Sequence, residues 1–294
     1  MSGWGGAKEF SSSATNMALQ GSYYRDQMHR FLLAVMIVVM ADQPELTEAQ
    51  SSWVSDRQLA STLRESGVKQ ETDRAVVWYE DGFLSGEEMA EFTAQLDSGI
   101  LHIEKYLQLP PHAAKVRYYV SNQIEISHSL GGSVFLPMPR VVNRSAPYLH
   151  ETTHVLVPCR ECPMWFSEGL ASYVQSYVSE HMGGYDGAIF ARRGNHNIDR
   201  EAAHWLTESR GQAVLPFIGK EEEPPHIAYD RSNVAAPYYI FSQSFIKHVI
   251  EQAGVASLAT VFPSSDFDDA LSSGTGKNTA AWKQDWLRTL APSQ

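Results

Sequence analysis

The sequence predicts an α+β protein, with a small mixed β-sheet followed by a mainly helical C-terminal part. Segments rich in β-branched and aromatic residues fall at 74–79, 116–120 and 133–136, all in the first half of the chain. Farther on, Phe166, Leu170, Tyr173, Val174, Tyr177 and Val178 recur at the spacing of one helical face.

Taken in order, the chain opens with a leader. Its one long apolar run, Phe31–Ala41, has eleven residues, too few for a membrane-spanning helix. His29-Arg30 precedes it and Val39-Met40-Ala41 ends it, which reads as a secretory signal peptide cleaved before Asp42 and an exported, periplasmic or secreted product. From Met1 the charged region is unusually long, and Met28 offers a second start. A buried helix of a cytoplasmic protein is the alternative. After this leader, 1–41, the expected division is an N-terminal α/β subdomain, 42–114, and a catalytic domain, 115–290.

Residues 42–72 are polar and read as partly helical; Arg74 to Tyr79 reads as a strand. Ser85-Gly86-Glu87-Glu88 is a capping box. It opens a helix with Met89, Phe92, Leu96, Ile100, Ile103 and Leu107 in one apolar stripe, ended by Leu109-Pro110-Pro111. Val116–Val120 and Ser133–Leu136 read as strands, with Gly131-Gly132 as the turn before the second.

The chemistry concentrates in His150-Glu151-Thr152-Thr153-His154. Residues four apart on a helix share a face, so both imidazoles can reach one metal ion, with Glu151 placed as a general base. Ser145 is an N-cap candidate, Pro147 suits the first turn, and Pro158 is a stop signal. A catalytic zinc needs a third protein ligand and one open position. A histidine ligand six residues after His154 is excluded, because Arg160 stands there and Val157 replaces the intervening glycine. Glu168 opens the next helical segment, which Gly183-Gly184 closes. A carboxylate beside that apolar face is costly to bury unless it is paired or bound to a metal.

His150 to His154 followed by Trp165-Phe166-Ser167-Glu168-Gly169-Leu170-Ala171 resembles the gluzincin zinc metallopeptidases of the peptidase MA-like group. The resemblance implies a zincin-like fold whose HExxH helix and glutamate helix bind one Zn2+ through His150, His154 and Glu168. It implies peptide-bond hydrolysis by a zinc-activated water, with Glu151 as catalytic base and a peptide or protein as substrate. It extends loosely to Tyr239–Gly254 and to a closing amphipathic helix with Trp282, Trp286 and Leu290. Such enzymes often place a tyrosine from a downstream helix over the site, which points to Tyr239, with Tyr238 beside it. They also pair substrate with an edge strand before the HExxH helix, a place that Gly132, Ser133, Val134 and Phe135 would take. The family usually carries an acid four residues after the glutamate ligand; here Ser172 stands there.

Cys159 and Cys162, the only cysteines, lie between the two ligand segments. They read as a disulfide stiffening that link, a redox pair, half of a second zinc site, or free thiols. The formal charge of −11, from 23 Lys and Arg against 34 Asp and Glu, lacks the basic stripe of a nucleic-acid binder. Rival functions are a zinc-binding module without catalysis, a metal-dependent amidase acting on cell-wall or modified peptides, and a thiol–disulfide protein. The sequence leaves the oligomeric state open.

Overall fold

The computed structural model describes residues 48–157, 159, 161–182, 195–224 and 234–291. Residues 1–41, read from the sequence as a leader, together with Pro158 and Gly183-Gly184, lie outside the described residues. The chain divides into two units, Met1–Gln58 and Leu59–Gln294, and of the first only residues 48–58 are described, as helix. Among the described residues no helix is long and apolar enough to cross a membrane.

Helix α1 (Glu48–Ser66) leads into a five-stranded sheet made of β1 (Val68–Glu71), β2 (Ala75–Tyr79), β3 (Val116–Ser121), β4 (His128–Leu130) and β5 (Ser133–Pro137). The order across the sheet is β1-β2-β3-β5-β4. The inner strands β2, β3 and β5 run parallel, with Val77 opposite Tyr118 and Tyr118 opposite Val134. Both outer strands are antiparallel to their neighbours. Alternation sorts the side chains between two faces. Val77, Tyr118, Val134 and Leu136 join the main core, whereas Tyr119 and Phe135 join Leu59 and Leu63 of α1 in a second cluster.

Helix α2 (Gly86–Leu107) covers the main face. Ser85 caps it through the full reciprocal box with Glu88, and Met89, Phe92, Leu96, Ile100, Ile103 and Leu107 are all buried. The helix stops at Gln108, in the left-handed region, before the two prolines are reached. After the short α3 (Met138–Val142) come α4 (Tyr148–Leu156), α5 (Met164–Met182), α6 (Asn195–Thr207), α7 (Ser209–Val214), α8 (Ala236–Ala253), α9 (Phe267–Thr275) and α10 (Thr279–Leu290). The arrangement is therefore α+β, with a small mixed sheet and a mostly helical second half.

Three expectations need correction. Ser133–Pro137 is not an edge strand: it is bonded to β3 on one side and β4 on the other, and all five residues are buried. The edge on that side is β4, because the chain places His128–Leu130 outside and folds back through Gly131 and Gly132, both at positive φ. The subdomain boundary at 114/115 falls within one sheet, since β2 and β3 pair across it from Ala75–Val116 to Tyr79–Val120. Ser145 does not cap α4; Pro147 holds that position with no side-chain cap, and the Ser145 hydroxyl bonds to Asn143 instead.

Candidate metal centre

Helix α4 is nine residues long and fixed on several sides. Thr152 and Thr153, the two inner residues of the motif, are buried and bond back to the carbonyls of Tyr148 and Leu149. The Thr152 hydroxyl also meets Tyr118 OH of β3 at 2.7 Å, tying the helix to the sheet. Against α2 the fit depends on Gly99, where a Cβ would stand 2.7 Å from Leu149 Cδ2. The remaining face of α4 carries His150 and His154 toward α5.

Glu168, in the first turns of α5, meets both imidazoles. Its Oε2 lies 3.0 Å from His150 Nε2, its Oε1 lies 3.5 Å from His154 Nε2, and the two Nε2 atoms are 3.1 Å apart. Among the described residues this is the one group of three His, Cys, Asp or Glu close enough to share a metal ion. The separations suit a tetrahedral site, because ligand atoms bonded at about 2.0–2.1 Å stand roughly 3.3 Å apart.

Each imidazole is also held at its other nitrogen. Ser167 Oγ lies 3.1 Å from His154 Nδ1, and Ser172 Oγ lies 3.4 Å from His150 Nδ1. A hydroxyl accepting from Nδ1–H leaves the Nε2 lone pair for a metal, the task a carboxylate usually performs. Ser172 thus makes an uncharged contact at the position where the sequence resemblance leads one to expect an acid. Ser167 was not singled out in the sequence, although its place directly before Glu168 was the available signal.

The electrostatics follow from burial among these groups. Burial works against charge on His150, but the hydrogen bond and charge of Glu168, with the charge of Glu151, outweigh it and raise the imidazole above its ordinary value. Burial also opposes ionisation of Glu168, yet the bonds from His150 and His154 dominate and hold its carboxyl far below the usual carboxylate range. Glu151, only 7% exposed, is pushed the other way: burial raises it, and the two imidazoles only partly offset this. The nearby His128 also works against that rise. That histidine begins the edge strand, its ring lies flat on Phe135 at 4.9 Å, and its Nδ1 bonds to Ile126 O.

Helix α8 brings the tyrosines. Tyr238 is fully buried in the core, whereas the Tyr239 ring lies 6.5 Å from that of His150. Burial raises the Tyr239 phenol first, and the charges of Glu168 and Glu151 and a hydrogen bond to Glu168 raise it further, so it stays protonated. Gly169 permits this approach: a Cβ there would stand 2.5 Å from Ser242 O on α8.

Cys159 and Cys162, in the link between α4 and α5, are joined as a disulfide with Cα atoms 5.5 Å apart. Of the four residues expected to meet substrate, Gly132 and Ser133 stand at the β4–β5 turn, and Val134 and Phe135 are buried within the sheet.

No protein-family model and no curated protein sequence matches the chain. Several solved structures resemble it distantly, three of them as follows. One is a mutant two-domain M1 zinc metallopeptidase bound to L-arginine, at 16% identity and TM-score 0.46, covering 77% of this chain and 51% of that one. The others are from Deinococcus radiodurans: a mutant M1 zinc metallopeptidase (15% identity, TM-score 0.45, 77% and 52% covered) and an M1 zinc metallopeptidase (16%, 0.47, 75% and 50%). The chain spans about half the length of each of these structures. With likeness this distant, the reading of the site rests on its own geometry.

Proposed function

We propose that the protein is a zinc-dependent peptidase, with His150, His154 and Glu168 as the protein ligands of one zinc ion. The supporting observation is the set of three ligand side chains, with the two Nε2 atoms 3.1 Å apart and the Glu168 carboxylate 3.0 Å from one and 3.5 Å from the other, each imidazole oriented from behind by a serine hydroxyl. When bound, zinc would supply Lewis-acid polarisation of the scissile carbonyl and of water.

The chain's own groups then divide the remaining work. Glu151, whose proton affinity burial raises, takes the proton of the attacking water and delivers it to the leaving amine. Tyr239, kept protonated, donates its hydroxyl hydrogen to the developing oxyanion. The edge strand His128–Leu130 packs against α4 and offers its outer side to an extended peptide by strand addition. In this reading β4 takes the role that the sequence had suggested for β5.

The intact, buried Glu151 favours catalysis over a binding-only module. Hydrolysis of a mixed peptide library by the full chain, measured before and after chelation, tests the proposal. Glu151→Gln should abolish turnover and keep the metal; Tyr239→Phe should lower kcat with little change in metal content. Undiminished hydrolysis by the Glu151→Gln protein would reject the mechanism.

A further inference from the structure

Helix α4 begins without a cap of its own. Pro147 holds the N-cap position with no side-chain hydrogen bond, and the Ser145 hydroxyl is bonded to Asn143. Glu151 N makes the first bond of the helical ladder, to Pro147 O at 3.1 Å. The N–H groups of Tyr148, Leu149 and His150 precede that ladder, and such first-turn donors need partners from elsewhere. This same turn carries His150 and Glu151 side by side.

One of the three donors is met from another helix. His150 N donates to Gln175 Oε1 of α5 at 3.2 Å, across 25 residues of chain. Gln175 is 5% exposed, so the bond is shielded from water. It performs the task of an N-cap side chain, an oxygen accepting from a first-turn N–H, but by tertiary contact.

Gln175 also completes a polar stripe. Glu168, Ser172 and Gln175 stand at i, i+4 and i+7 on α5, the spacing of one helical face. All three reach His150, each at a different atom. Glu168 Oε2 lies 3.0 Å from Nε2, Ser172 Oγ lies 3.4 Å from Nδ1, and Gln175 Oε1 lies 3.2 Å from the backbone N. The first two contacts set how the ring is turned. The third sets where the turn bearing the ring sits, and fraying there would displace His150 from Glu168 and carry Glu151 with it.

We propose that Gln175 is a positioning residue of the metal centre: its amide oxygen caps α4 at His150 N and holds the ligand in register with Glu168 before a metal ion arrives. The inference rests on the zinc-site reading above and adds to it a residue that acts through His150 alone.

The test compares the full-length wild-type, Gln175→Met, Gln175→Glu and Asn278→Ala proteins. Each is titrated with zinc against a competing chelator and unfolded thermally with and without zinc. Methionine keeps the length of the side chain and removes the strong acceptor, whereas glutamate keeps one. Asn278 caps α10 through Ala281 N at 3.0 Å and serves as a control for losing a cap elsewhere. Gln175→Met should bind zinc roughly two- to thirtyfold more weakly, the range that a helix cap is worth. Gln175→Glu should bind as tightly as wild type or more so, since a carboxylate is favoured at a helix N-terminus. Asn278→Ala should unfold earlier and keep wild-type zinc affinity. A role confined to folding would lower the unfolding temperature equally with and without zinc and leave the affinity unmoved. Wild-type affinity in Gln175→Met would therefore overturn the proposal, as would a folded Gln175→Glu protein that binds as weakly as Gln175→Met. If the methionine protein does not fold, Gln175→Asn, one methylene short of His150 N, takes its place. A wild-type chain that binds no zinc would remove the site and this inference with it; a wild-type chain that binds, beside an indifferent Gln175→Met, removes the inference alone.

Discussion

Substitution of Gly169 by alanine separates the metal centre from its supporting helix. A Cβ at this position would stand 2.5 Å from Ser242 O and 2.9 Å from Ile246 Cγ1. Real Cβ atoms essentially never come within 3.0 Å of a heavy atom outside their own and adjacent residues, so the Ser242 carbonyl, otherwise at 2.5 Å, must retreat by about half an ångström. The obstacle is helical backbone, which cannot swing aside as a side chain can. Overpacking of this kind costs about 1–3 kcal/mol. In a domain of this size each kcal/mol lowers Tm by roughly 2–4 °C, so the expected fall is about 2–12 °C. The displaced helix α8 carries Tyr239, whereas His150, His154 and Glu168 all come from α4 and α5. Thermal unfolding followed by circular dichroism, together with zinc titration and peptide turnover, reads out both consequences. Gly169→Ala should melt early and lose more turnover than zinc affinity. A protein melting within about 1 °C of wild type would show that the helices do not meet as described.

Other outcomes follow from the same contacts. Ser172 Oγ is 3.4 Å from His150 Nδ1, long for a hydrogen bond, so Ser172→Asp should tighten zinc binding by roughly tenfold in a chelator competition; unchanged affinity would mean that this nitrogen is oriented by something else. The raised imidazole of His150 stabilises the metal-free fold fully below its unfolded value near 6.5, and that contribution is lost as pH rises through the higher folded value. One proton sets the limit of that slope at about 1.4 kcal/mol per pH unit. Zinc requires the neutral ring, so its affinity should rise over the same range, and denaturant melts with and without zinc should show pH trends of opposite sign. Parallel trends would remove His150 from the ligand set.

Much of this architecture is legible in the sequence because the local signals agree with the tertiary environment. The α2 stripe, its capping box and the strands β2, β3 and β5 all combine a strong pattern with deep burial. The missed elements have weak patterns. Val68-Lys69-Gln70-Glu71 is a half-exposed edge strand with one apolar residue, and β4 has three residues, all partly exposed. The Gly131-Gly132 pair did mark a hairpin, and a two-residue turn implies a strand on each side of it. What the sequence does not carry is strand order: β5 follows β4 in the chain yet lies inside it in the sheet. At the site, the spacing of His150 and His154 fixes a shared helical face. The meeting with Glu168 depends on the packing of α4 against α5, and the choice of Tyr239 over Tyr238 depends on the rotation of α8, neither of which is written in local pattern.

The most direct test of the account is the metal content of the purified full chain, by mass spectrometry and competition titration, beside that of Glu168→Gln. One zinc ion per chain is expected in the wild-type protein. The substitution should lower the affinity by more than the about 100-fold that loss of a supporting partner can cost, because it removes a ligand outright. A wild-type chain that takes up no zinc, or a Glu168→Gln chain that binds it equally well, would contradict the assignment of this site.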